Sequence, residues 1–91
     1  MPRFVKDPNA LKDYSWDWTE YLEIGEIITS AEIIGPPGTL EVVGAPTHDD
    51  TTVTVWLDGG IHMQRYFIPC RITTSKGRQD DRSLYLLVKE L

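Results

Sequence analysis

From Ile27 to the end of the chain, short runs set apolar residues at every second position, and a period of two fits only extended backbone. Successive side chains on a strand point to opposite faces, so such a run has one greasy side and one wet side. "TTVTVWL" at 51–57 sets Val53, Val55 and Leu57 together, with Thr52, Thr54 and Trp56 opposite. "YFIPCRITT" at 66–74 is the longest run and places Tyr66, Ile68, Cys70, Ile72 and Thr74 on one face. "DRSLYLLVKEL" ends the chain with Leu84, Leu86 and Val88 inward and Tyr85 and Leu87 outward. Earlier, "IITSAEII" at 27–34 aligns Ile27, Thr29, Ala31 and Ile33, and "TLEVV" aligns Leu40 with Val42. Turn residues separate these runs: "GPPG" at 35–38, "DGG" at 58–60 and "SKG" at 75–77, with "GAPTHDD" at 44–50 a loop by composition. Pro69 cannot donate to a ladder, so its strand is expected at a sheet edge or bulged there. Six or seven short strands with almost no helical period imply an all-β chain, an antiparallel β-sandwich, with a small closed barrel as the alternative.

The N-terminal third is organised differently. "MPRFVKDPNALK" has two prolines and no sustained period, so residues 1–12 read as an extended arm and 13–91 as the sandwich. The apolar arm residues Phe4, Val5 and Leu11 suggest that it lies against protein. "DYSWDWTEYL" at 13–22 puts Tyr14, Trp16 and Trp18 on one face of a strand. At least one indole is expected to fill the core, because its area alone is a large apolar payload. A single helical turn in "TEYLEIGE" would redirect Tyr21 and Leu22 toward a neighbouring subunit, since aromatics are enriched at interface centres. Trp56, Tyr85 and Leu87 occupy the outward phase of strands already apolar inside, so they are candidate interface residues forming one patch, unless the arm folds back over them.

Composition limits the chemistry. Nine Lys and Arg against fourteen Asp and Glu give a formal charge of −5, which argues against nucleic acid, where basic residues supply most of the affinity. Cys70 is the lone cysteine, so neither an internal disulfide nor a zinc cluster is expected. No stretch is long and apolar enough for a bilayer, and the first residues do not read as a signal peptide, so a soluble cytoplasmic product, or a component of something assembled in the cytoplasm, is expected. The pairs Asp49–Asp50 and Asp80–Asp81 read as solvated turn residues, too few for a calcium loop. Asp81 beside Arg82, or Asp80 opposite Arg78, would make only local ion pairs. His48 and His62 read as loop residues with nothing to orient them, and Cys70 as a small inert hydrophobe. "GPPG" lacks the amide donors of a phosphate loop. No cofactor, metal, small-molecule substrate or catalytic activity is expected.

"YFIPCRITTSKGRQDDRSLYLLVKEL" resembles the last two strands of the immunoglobulin-like domains of bacterial and phage proteins. Beyond it, "KDPNALKDYSWDW", "TTVTVWLDGG" and "RITTSKGRQDDRSL" together resemble a family of small tailed-phage virion proteins described as fiber-tail adaptor or neck-associated proteins. That resemblance implies an immunoglobulin-like sandwich and a non-enzymatic virion component. It also implies an oligomer, a ring or collar held by contacts with neighbouring subunits; other virion proteins, portal or connector, tail or fiber subunits, are the partners expected. On that reading Phe4, Val5, Tyr21, Leu22, Trp56, Tyr85 and Leu87 are the residues expected to meet neighbours. The alternative is a carbohydrate-binding sandwich module of a phage particle that uses its exposed aromatics as a platform.

Overall fold

The computed structural model describes residues 3–35 and 38–91. Pro36 and Pro37 of the expected "GPPG" turn therefore lie outside the described residues, as do Met1 and Pro2 at the start of the expected arm. Seven strands follow in order: β1 (Arg3–Lys6), β2 (Lys12–Asp17), β3 (Ile28–Ile33), β4 (Leu40–His48), β5 (Thr52–Gly59), β6 (Arg65–Thr74) and β7 (Gln79–Val88). They form a four-stranded sheet, β1-β7-β6-β3, and a three-stranded sheet, β2-β5-β4. Two separate sheets make a sandwich rather than the closed barrel. Their order is the immunoglobulin-like one, in which consecutive strands cross between layers.

The part of the 1–12 segment that is described is not a free tail. β1 runs parallel to β7 and pairs Arg3 with Tyr85 and Val5 with Leu87, so the first strand and the last share an edge. A backbone bond from Lys89 N–H to the Lys6 carbonyl (2.8 Å) continues that ladder. An Asp7 turn then carries the chain to the other sheet, with the Asn9 N–H donating to Asp7 Oδ1 at 2.8 Å.

The alternating runs meet face to face. Val53, Val55 and Leu57 oppose Ile68, Ile72, Leu84, Leu86 and Val88, all almost wholly buried. Tyr14, Trp16 and Trp18 are all buried too, so both indoles belong to the core. Each buries roughly 200 Å², worth about 5 kcal/mol at about 25 cal/mol per Å². Tyr14 Oη and the two indole nitrogens have no hydrogen-bond partner among the described residues. An unpaired buried donor costs about 1–3 kcal/mol, so area wins.

Three local expectations are corrected. Ile27, Thr29, Ala31 and Ile33 do not share a face, because the β3–β6 register slips between Ile28 and Ser30. That bulge puts Ile28 in the core and leaves Ile27 exposed, while Ala31 and Ile33 still pack inward. The segment 44–48 is strand, not loop. β4 absorbs Gly44, Ala45 and Pro46 as an irregularity between Val43 and Thr47, which an edge strand tolerates. Pro69 sits neither at an edge nor at a bulge. β6 is interior and pairs Pro69 with Ser83 in unbroken register. Its carbonyl accepts the Ile34 N–H at 3.0 Å, so its nitrogen faces the flank where β3 has already ended. The missing donor therefore falls beyond the ladder.

The turn after β2 is folded tightly against the β6–β7 hairpin. Tyr21 and Leu22 N–H groups both return to the Trp18 carbonyl (3.0 and 3.1 Å), giving the single turn expected in "TEYLEIGE". Glu26, its side chain fully covered, receives Arg78 Nε at 2.8 Å on Oε2 and a second guanidinium nitrogen on Oε1. Thr74 Oγ1 donates to the same carboxylate, and Oε1 accepts the Glu23 N–H at 2.9 Å. At the far end, Tyr66 Oη accepts the Ile61 N–H at 3.0 Å and bonds Thr39 Oγ1, tying the "DGG" connection to the start of β6. Gly60 is required there: its φ is +96°, and a Cβ would come within 2.6 Å of Val88.

Two tests follow from this packing. The Arg78 fork holds the Glu26 carboxyl at about 2, below its usual 4.5, so its contribution is complete above 4.5 and is lost as pH falls toward 2. Denaturation midpoints of the wild type and Glu26→Gln should thus differ at pH 7 and converge toward pH 2. A difference independent of pH would refute the assignment. Tyr14→Phe, which deletes an unpaired buried hydroxyl, should raise stability by about 1 kcal/mol in urea denaturation. A loss of stability would mean that the hydroxyl is bonded.

Candidate protein interface

The outward phase of the four-stranded sheet divides into an apolar end and a polar end. At the polar end Arg71 and Asp81 face each other across β6 and β7 in a two-pronged ion pair (2.7 and 2.9 Å). That pairing replaces the expected local bridges. Asp80 and Asp81 lie in β7 rather than in a turn, because the hairpin closes earlier, at 75–78. Arg71 in turn holds the Asp81 carboxyl below the usual carboxylate range.

At the apolar end the register aligns two rows, Arg3–Tyr85–Phe67 and Val5–Leu87–Arg65. Phe67 and Tyr85 meet edge to face with ring centroids 4.4 Å apart, and the Arg3 guanidinium lies 5.9 Å from the Tyr85 ring. These side chains line a surface concavity, with Phe4 at its wall. Phe67 is 59% exposed and Val5 48%, although Tyr85 and Leu87 are half-buried between their neighbours. Neither Arg3 nor Arg65 makes an ion pair among the described residues. An aromatic patch flanked by two free arginines on an acidic chain is the most distinctive surface of the molecule.

Trp56 is not part of it. β5 lies in the other sheet, so Trp56 emerges from the opposite side of the sandwich and the single patch expected with Tyr85 and Leu87 does not exist. The cause is the crossing of strands between layers, which sequence spacing does not reveal. Trp56, 48% exposed, stands in a row with Asp13 and Val43, and the next outward row carries Asp58 and Glu41. The outward phase of β2, β4 and β5 bears Asp13, Asp17, Glu41 and Asp58 and has no Lys or Arg. Nor do the described residues of the N-terminal segment fold over these side chains: β1 lies beside Tyr85 and Leu87 as a strand, and Trp56 is 48% exposed.

Tyr21 and Leu22 are half-buried against the core. The Tyr21 ring lies between Trp18, 5.4 Å away, and the Arg78 guanidinium at 4.5 Å, while Arg82 stands 4.8 Å over Trp18. Arg78 also donates to the Tyr21 carbonyl at 3.1 Å. "DYSWDWTEYL" and "TTSKGRQDDRS" are thus two halves of one clamp. Phe67, Arg3, Arg65 and Val43 are surface residues that sequence reasoning passed over. Phe67 was within reach, since it occupies the outward phase of the longest alternating run. The arginines were not, because only strand pairing puts positions 3 and 65 beside 85 and 87.

The nucleophile and ligand types are dispersed. Cys70 is fully buried, and burial, with the charge of Asp81 adding, pushes its thiol up to about 12. His48 ends β4 instead of lying in a loop, and bonds the Asp49 carbonyl at 3.0 Å. His62 Nδ1 accepts the Glu90 N–H at 3.0 Å. Asp49 Oδ1 receives the Thr51 and Thr52 N–H groups (2.9 and 2.8 Å), a turn role that pulls its carboxyl pKa down.

A family profile described as "Podophage GP4 fiber-tail adaptor protein gp77" matches residues 6–87. The chain belongs to that family of phage fiber-tail adaptors. Membership in this adaptor family supports a structural role among virion proteins. Among solved structures, the PKD domain from KIAA 1837 protein, determined in solution, is similar at 17% identity. It has a TM-score of 0.59, over 99% of this chain and 82% of that one. At that identity the likeness concerns the fold, an immunoglobulin-like all-β sandwich. A search of curated proteins finds no significant match.

Proposed function

We propose that this chain is a multi-copy connector at the neck or tail of the virion, assembled in the host cytoplasm, that links fiber or tail components to the particle. Portal, connector, tail and fiber subunits are its partners on this reading. The observation that carries it is the aromatic patch around Phe67 and Tyr85, left open on the outer face of an otherwise polar sheet. The family membership supplies the setting. Function here is geometry. The two-sheet body is a rigid block, and its two outer faces are the surfaces offered to neighbours.

Of the residues expected to meet neighbours, Val5, Tyr85 and Leu87 work with Phe67 on the four-stranded face, with Phe4 supporting them from below. Trp56 serves the opposite face. Tyr21 and Leu22 present their open edges beside the Arg78 clamp, a third and smaller contact. Each patch is a handful of side chains, short of the roughly 800 Å² per partner of a standard interface. Many copies engaging at once would provide the avidity that one patch lacks.

The test is incorporation. Phe67→Ser combined with Leu87→Ser should leave a folded domain, because both side chains lie outside the packed core, yet the variant should be lost from purified particles by quantitative mass spectrometry. A folded double variant that enters particles at the normal copy number would rule out the four-stranded face as the attachment surface.

A further inference from the structure

The two outer faces are complementary in charge and alike in layout. On the four-stranded sheet Tyr85 and Leu87 of β7 form the centre line, and Arg3 and Arg65 stand on either side of it, one outward row apart. On the three-stranded sheet Trp56 and Asp58 of β5 form the centre line, and Asp13 and Glu41 stand on either side, again one row apart. Strand spacing and rise give both charged pairs a separation of about 12 Å across the diagonal. Two guanidinium groups and two carboxylates are therefore spaced alike, one pair flanking the half-buried Tyr85 next to the exposed Phe67 and the other flanking the exposed Trp56. The arginines make no ion pair among the described residues, and the carboxylate face has no basic residue on its outward phase.

We propose that the partner of each face is the other face of a second copy of this chain. Trp56 of one copy seats against Phe67 and Tyr85 of the next, and Asp13 and Glu41 of the first pair with Arg3 and Arg65 of the second. The two surfaces are different patches on opposite sides of the molecule, so the contact is head to tail and leaves a free face of each kind at the ends. Such a contact repeats until its rotation closes a ring. An isologous pair would instead bring arginines onto arginines or carboxylates onto carboxylates, which like charge disfavours. This deepens the connector reading and rests on its multi-copy part.

Charge reversal tests it in solution. Sedimentation equilibrium of the wild type, from micromolar to millimolar concentration at low salt, should show self-association that weakens as salt is raised. Arg3→Glu with Arg65→Glu sets carboxylates opposite Asp13 and Glu41, and Asp13→Lys with Glu41→Lys sets lysines opposite Arg3 and Arg65. Each double variant alone should associate at least about tenfold more weakly than the wild type. An equimolar mixture should recover association, because the reversed four-stranded face of one variant fits the reversed three-stranded face of the other, and their two unchanged faces still fit each other. The neutral variants Arg65→Gln and Glu41→Gln should each weaken association to a lesser degree, and circular-dichroism melts check that every variant is folded. A wild type that stays monomeric throughout overturns the proposal. So do double variants that associate as the wild type does, or a mixture that remains apart. If the monomeric protein still enters particles, the connector reading stands and the arginine face belongs to a different virion protein.

Discussion

The Glu26–Arg78 ion pair holds the sandwich together where its sequence is most demanding. Three large aromatics must be buried between thin sheets, and the chain must reverse immediately after the third. The turn at 18–26 makes that reversal, and Arg78 holds it down by gripping Glu26, capping the Tyr21 carbonyl and covering the Tyr21 ring. A covered carboxylate is costly unless every lone pair is used, and here Arg78, Thr74 and the Glu23 N–H use them. Trp18 is thereby sealed from one side by Tyr21 and from another by Arg82. The least ordinary part of the sequence, "TTSKGRQDDRS", is thus explained by packing: its two clamp arginines serve the aromatic row sixty residues away.

That division of labour bears on function. The aromatic row and the clamp arginines are spent on the interior, so a reading that gives them to a partner misplaces the surface. On the proposed reading, what is left for neighbours is the outward phase of the two sheets and the smaller edge at Tyr21 and Leu22, and the two sheet faces differ in kind. One is aromatic with arginines and the other is a tryptophan among carboxylates. A net charge of −5 hides this asymmetry, because the basic face is small and the rest of the chain outweighs it.

Strand alternation was legible because burial on one face enforces it. Val53, Val55 and Leu57, then Ile68, Cys70 and Ile72, then Leu84, Leu86 and Val88, all sit on the side their spacing assigns. The failures have physical causes too. A bulge at Thr29 flips the phase of β3, and a proline is harmless in β6 because β3 stops beside it. The strand through Gly44 and Pro46 looks like a loop because an edge tolerates what an interior strand would not. Trp56 and Tyr85 share an outward phase but not a sheet, since alternation says which way a residue points but not which sheet it points from. Pairing of distant strands is a tertiary fact, and the surface around Arg3 and Arg65 depends wholly on it.

If the outer faces of the sheets are what neighbours grip, the decisive measurement is a side-chain-resolution electron cryomicroscopy map of the assembled particle. It should show Phe67 and Tyr85 covered by another subunit, and Trp56 covered on the far side of the same molecule. A map in which both faces look onto solvent, with neighbours holding the chain through the loops at 60–64 and 75–78, would contradict it.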